Sequence, residues 1–136
     1  MAHWLVKSEP SVYSWAQMVK DKRTGWNGVR NFQARNNLMA MKKGDCAFFY
    51  HSNEGLEIVG IVEIAREFYP DPKDETGKFG MVDVKAVKPL KTPVTLAALK
   101  ADKRFAELGL LRQSRLSVVP VSEAHWQAIC AMGGIA

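Results

Sequence analysis

Four short polar segments in this 136-residue chain break apolar stretches where no cap or turn demands it. They are Lys7-Ser8-Glu9-Pro10, Trp26-Asn27-Gly28-Val29-Arg30-Asn31, Tyr50-His51-Ser52-Asn53 and Arg115-Leu116-Ser117. Together they offer hydroxyls, amides, guanidinium groups and aromatic faces. A planar heterocycle needs this mixture: a ring to stack on, and fixed donors and acceptors along its edge. Arginine adds a planar fork that fits phosphate. Each residue also has an ordinary structural reading. Trp26 could be core beneath a loop, Asn31 and Asn36 could bond helix ends, and Ser8 could cap the turn before Pro10. Arg35 could pair with a surface carboxylate, and Tyr50 could end a buried strand. Residue type and spacing leave both readings open.

Signatures of catalysis are missing. The chain has no P-loop, no Gly-x-Gly-x-x-Gly, no Gly-x-Ser-x-Gly, no His-Glu-x-x-His and no Cys-x-x-Cys. The carboxylates of Asp71–Glu75 fall in a charged stretch that reads as a solvated loop. His51 and Ser52 are adjacent, so on an extended chain they point to opposite sides rather than form a nucleophile and base. His3, at the start of a strand, reads as exposed, and His125, beside Trp126 in the last helix, reads as structural. Cys46 and Cys130 are far apart among apolar neighbours and read as buried free thiols. No metal site and no cofactor are expected.

The elements that must position these segments follow from the pattern. Hydrophobic residues make up 47% and charged residues 24%, which suits one folded domain spanning 1–136. The net charge is +5, and residues 1–50 carry the whole excess, with eight basic and three acidic side chains. That excess suits an anionic partner such as nucleic acid, or simply keeps the surface soluble. With no signal-peptide pattern and no apolar run of membrane length, the chain reads as soluble and cytoplasmic.

Strands are expected over His3–Lys7, Cys46–Tyr50, Leu56–Phe68, Met81–Val87 and Leu116–Val121. Pro89 and Pro93 are expected to end the fourth. Helices are expected after the capping box Ser14-Trp15-Ala16-Gln17, over Arg30–Met41, over Thr95–Lys100, around Phe105–Leu111, and from Ser122 to Met132. Gly25–Gly28 reads as a turn, and residues 69–80 as an exposed loop. This order is not regular βαβ alternation. It suits an α+β fold with a bent, mostly antiparallel sheet or small barrel whose mouth takes a small ligand.

The same residues resemble a known family. Trp4-Leu5-Val6-Lys7-Ser8-Glu9-Pro10 and Trp26-Asn27-Gly28-Val29-Arg30-Asn31-Phe32-Gln33-Ala34-Arg35-Asn36 are similar to the opening and central signatures of EVE domain proteins. Phe49-Tyr50-His51-Ser52, Val59-Gly60-Ile61-Val62, Val82-Asp83-Val84 and Arg115-Leu116-Ser117-Val118-Val119-Pro120-Val121 continue the match in order. The resemblance implies a PUA-like bent β-barrel with short helices packed around it. It further implies a non-catalytic module that recognises a modified base in DNA or RNA. On that reading Lys7, Ser8, Trp26, Val29, Arg30, Asn31, Tyr50, His51 and Ser52 form the base pocket, and Arg35 and Arg115 contact phosphate. Two alternatives stand beside it: an enzyme acting on a nucleotide with His51 and Lys7 as acid and base, or a binder of a small anionic metabolite. Two features depart from the family pattern. Asn27 replaces the usual aspartate, and the segment Asp71–Gly80 is shorter than the family's insert, so one side of the pocket is expected to be open or rebuilt.

Overall fold

The computed structural model describes residues 2–135. Strand β1 (His3–Ser8) leads into helix α1 (Trp15–Asp21), the short strand β2 (Arg23–Trp26) and helix α2 (Phe32–Ala40). Strands β3 (Cys46–His51), β4 (Glu57–Pro70) and β5 (Gly80–Thr95) follow. Helix α3 (Leu96–Ala101), a 3₁₀ turn (Lys103–Phe105), helix α4 (Gly109–Arg112), strand β6 (Val118–Val121) and helix α5 (Glu123–Met132) complete the chain.

Side-chain caps set the helix starts. Ser14 accepts from the Gln17 amide, Asn31 from Ala34, Thr95 from Ala98 and Ser122 from His125. Each supplies an oxygen to an amide that the first helical turn leaves unpaired. At the other end of α5, Gly134 adopts a φ of 76°, the left-handed conformation that stops a helix cheaply.

The six strands form one sheet in the order β2-β5-β4-β3-β1-β6. Among the described residues only the β1–β3 pair is parallel, and the segment from α1 to α2 makes the crossover this requires. The mostly antiparallel α+β reading therefore holds, but the barrel does not: among the described residues no pairing joins β2 to β6. These two edges are four residues each, and helix α2 stands in place of the missing pair. It packs against β4, β5 and β6, and the Asn37 amide donates to the Val118 carbonyl at 2.7 Å. An edge satisfied by a helix has no need of another strand.

Two local expectations also change. Residues 23–26 run along β5 as strand β2 instead of entering a turn at Gly25. Arg-Thr-Gly-Trp carries no alternation, so only the tertiary pairing makes it a strand. Likewise β5 continues through Pro89 and Pro93 to Thr95. Proline lacks the ladder amide, but Pro89 faces Gly60 at a register shift, and residues 90–93 bulge opposite Val59. Bulges are where sheets tolerate proline. Gly60 has a second use, because a Cβ there would lie 2.4 Å from the Trp15 ring. Its absence lets α1 seat on β4.

The core includes Leu5, Val6, Phe48, Phe49, Ile58, Ile64, Val118 and Ile129, all fully buried. Trp126 stacks on Phe48 at 3.9 Å and on His3 at 4.3 Å. Cys46 and Cys130 are free, the first half-buried and the second buried. Among the described residues no helix is long and apolar enough to cross a membrane.

One buried carboxylate ties β1 to the start of β3. Asp45 is 3% exposed and accepts from the Trp4 indole at 3.1 Å and the Lys42 amide at 2.9 Å. Asp45→Ala strands the buried Trp4 indole N–H and leaves the Lys42 and Ala2 amides without their acceptor. It should cost about 3 kcal/mol in a denaturant titration.

Candidate nucleic-acid interface

Because the sheet stays open, a cleft of about 590 Å³ remains between its edges. Strand β1 supplies Lys7 and Ser8 at its end, and Glu9 follows. Strand β2 supplies Thr24, Gly25 and Trp26, and the loop beyond it supplies Asn27, Gly28, Val29 and Arg30. Val12 and Tyr13, ahead of α1, close one side, and Ser117, just before β6, closes another.

The aromatic walls are fixed by packing. Trp26 meets Phe49 edge-on at 5.5 Å and Tyr13 at 6.4 Å with an interplanar angle of 88°. Trp26 is 8% exposed, so it serves as the floor of the cleft, with Tyr13 standing at right angles to it. The Tyr13 hydroxyl donates to Asp21 at 2.8 Å. Burial, and then the Asp21 carboxylate, raise its pKa and keep it neutral. Ser8 holds the turn by donating to the Tyr13 carbonyl at 2.7 Å. Lys7 donates to the Ser114 carbonyl at 2.8 Å, and burial lowers its pKa.

The Gly28–Arg30 loop has its own anchor, in a residue the sequence reading left in solvent. The Asp71 carboxylate is fully buried. It accepts from the Gly28 amide at 3.0 Å, from Arg30 at 3.0 Å and from the Lys73 amide at 2.9 Å. Arg30 also donates to the Val29 carbonyl. Burial pushes the Asp71 pKa up, but the Gly28 and Lys73 amides and the Arg30 guanidinium outweigh it, and the net shift is downward. In the same loop Asp74 is held at about 2, chiefly by the Thr76 hydroxyl. Through Asp71 the Gly28–Arg30 loop is clamped by the 71–80 segment. Phe79 within it stacks on the exposed Phe32 at 5.0 Å, and Arg30 lies over Phe79 at 5.7 Å. A buried carboxylate cannot be told from a solvated one in a run of acids, so only the fold reveals Asp71.

Five of the nine expected pocket residues meet in the cleft: Lys7, Ser8, Trp26, Val29 and Arg30. The other four do not line it, and each has a local partner or environment instead. Asn31 caps α2 through its side chain. Tyr50 is 3% exposed within β3, and burial raises its pKa. His51 accepts from the Trp15 amide at 3.0 Å, and burial lowers its pKa. The Ser52 amide bonds the Ser8 carbonyl, which ties β3 to the end of β1. Of the two expected phosphate contacts, Arg35 binds Asn36 and the Lys78 carbonyl and lies over Phe32. Arg115 is exposed, two residues from Ser117. Val12, Tyr13, Thr24 and Gly25 also line the cleft and lie outside the polar segments singled out in the sequence. No group of acids, histidines and cysteines among the described residues could hold a metal ion.

The Asp71 clamp gives two measurable consequences. Asp71→Ala should destabilise the protein by about 3 kcal/mol, the low end for a broken buried pair because Arg30 is partly exposed. The native carboxyl titrates below its unfolded value of about 3.9, so its stabilisation is complete above that pH and is lost as pH falls through the native value. Stability measured from pH 5 downward should therefore decline less steeply for Asp71→Asn than for the unsubstituted protein.

With this geometry in hand, comparison with known proteins is specific. The EVE domain model matches residues 2–132. Rpa0253 of Rhodopseudomonas palustris is 60% identical, with a TM-score of 0.93 covering 98% of this chain and 94% of that one. Human thymocyte nuclear protein 1 is 33% identical over 96% of this chain and 73% of its own length. The human THYN1 structure in complex with 5-methylcytosine containing DNA superposes with a TM-score of 0.90, covering 100% of this chain and 99% of that one. The YTH domain of Zygosaccharomyces rouxii MRB1 shares the fold at 12% identity and a TM-score of 0.59, covering 97% of this chain and 86% of that one. From the matched family model, and from relatives alike over nearly the whole chain, the protein belongs to the EVE domain family.

Proposed function

We propose that this protein is a non-catalytic reader of nucleic acid carrying a methylated base, and that the base enters the cleft floored by Trp26. The observation that carries this reading is the cleft itself: aromatic and apolar walls from Trp26, Tyr13 and Val29, with Lys7 and Arg30 at its polar margin. That a structurally similar relative has been solved with 5-methylcytosine containing DNA supports the choice of ligand class.

The chemistry suits binding. A base lying on an aromatic side chain gains about 1–3 kcal/mol. A methyl moved from water onto the apolar wall adds about 0.8 kcal/mol, close to fourfold in affinity. Lys7, Ser8, Thr24 and Asn27 offer donors and acceptors for a base edge. His51 is turned away as an acceptor for the Trp15 amide, which weighs against an acid–base role for it.

Titration of matched oligonucleotides, DNA and RNA, with and without a methylated base, tests this reading. The methylated strand should bind about fourfold more tightly or better. Trp26→Ala should lower affinity for it by about 1–3 kcal/mol. Lys7→Met keeps the apolar stem and loses the donor, so it should weaken binding without altering the fold. Equal binding of methylated and unmodified strands by all three proteins would refute the reading.

A further inference from the structure

His51 does not line the cleft, yet it holds one wall of it. Tyr13 and Ser14 lie between two anchors. On one side the Ser8 hydroxyl donates to the Tyr13 carbonyl at 2.7 Å. On the other the Trp15 amide, first in α1, donates to His51 Nε2 at 3.0 Å. The anchors stand on neighbouring strand ends, because Ser8 of β1 pairs with His51 of β3. The Phe49 ring packs beside all three aromatic rings, 5.8 Å from His51, 5.4 Å from Trp15 and 6.5 Å from Tyr13.

The second anchor depends on a proton. Nε2 accepts only while the imidazole is neutral with its proton on Nδ1, since an imidazolium has donors alone. The added charge would also face the positive end of α1. Few charged groups face this ring among the described residues. Glu57, its partner across β3 and β4, favours the protonated form. On β1, Ser8 is uncharged and Lys7 reaches instead to the Ser114 carbonyl. In α1, Lys20 and Asp21 belong to the last turn, and in the 52–56 loop Glu54 is exposed. Burial outweighs Glu57 and lowers the His51 pKa, so the neutral acceptor prevails at pH 7.

We propose that His51 is a positioning residue for the cleft: neutral, it pins the Trp15 amide and with it the Tyr13 wall, and protonated, it releases both and weakens ligand binding. The proposal rests on the reading of the cleft as a base site. Affinity should be level above about pH 6.5, the ordinary histidine value, and fall in acid as the native imidazole titrates below it. The loss should reach about fivefold, the worth of one hydrogen bond that the ligand must then restore.

The test follows binding of a methylated oligonucleotide from about pH 8 to about pH 5, the range in which histidine changes charge. The unsubstituted protein is compared with His51→Gln, whose Oε1 accepts at any pH. Hydrogen exchange of the Trp15 amide and the NMR signals of the Tyr13 ring are measured at each pH in both proteins without ligand. In acid the unsubstituted protein should lose affinity, exchange the Trp15 amide faster than His51→Gln and shift its Tyr13 signals. His51→Gln should keep its neutral-pH affinity throughout. His3, on Glu123, and His125, on the Arg104 carbonyl, are common to both proteins, so the difference between the two reports His51. Equal exchange and equal Tyr13 signals in the two proteins across the range would overturn the proposal, and so would a His51→Gln affinity that falls in acid as steeply. A Trp15 amide released in acid with no change in affinity would overturn the link to the cleft and leave the base reading intact. If no oligonucleotide binds at any pH, the base reading falls, and the Trp15 exchange and Tyr13 signals alone uphold or overturn the positioning of the wall.

Discussion

The Asp71 side chain is fully buried, and a bare carboxylate in that position would cost several kcal/mol. Its three partners make it tenable, and two of them belong to the loop that shapes the cleft. The dependence is mutual. Gly28 has a φ of 82° and an amide aimed inward, and Arg30 is bent back along its own loop toward the Val29 carbonyl. Without the carboxylate, neither has a reason to hold that geometry. The 71–80 segment therefore acts as the back wall that fixes Val29 and Arg30 against the cleft.

The other constraint is the open sheet. A closed barrel would have brought β2 against β6 and filled the space where the cleft lies. Helix α2 satisfies the β6 edge at Val118, and Trp26 turns its ring down onto Phe49 and Tyr13 at the end of β2. The gap that remains has a rigid aromatic floor and a polar margin. Of the basic residues among 1–50, Lys7 and Arg30 line it, with Glu9 beside them.

Much of this was legible in the sequence. Ser14, Thr95 and Ser122 marked three helix starts, because a capping side chain acts on amides only a few residues away. The Ile- and Val-rich run of β4 was legible for a similar reason, since burial imposes its own pattern. What escaped depended on partners distant in sequence. Strand β2 exists because β5 pairs with it, and β5 passes Pro89 and Pro93 because it bulges there against β4. Asp71 looked solvated because its neighbours in the chain are. The site divided on the same line: Lys7, Ser8, Trp26, Val29 and Arg30 converge, while Asn31 and His51 serve the ends of helices. A helix cap and a ligand contact draw on the same residue types, and a single sequence cannot separate them.

The central claim is that a base comes to rest against Trp26. The four indole N–H signals, from Trp4, Trp15, Trp26 and Trp126, make this directly observable by NMR during titration with a methylated oligonucleotide. The account predicts that the Trp26 signal moves as the strand binds, while those of Trp4, bonded to Asp45, and Trp126, stacked on Phe48, stay in place. Saturable binding with a stationary Trp26 signal would contradict it.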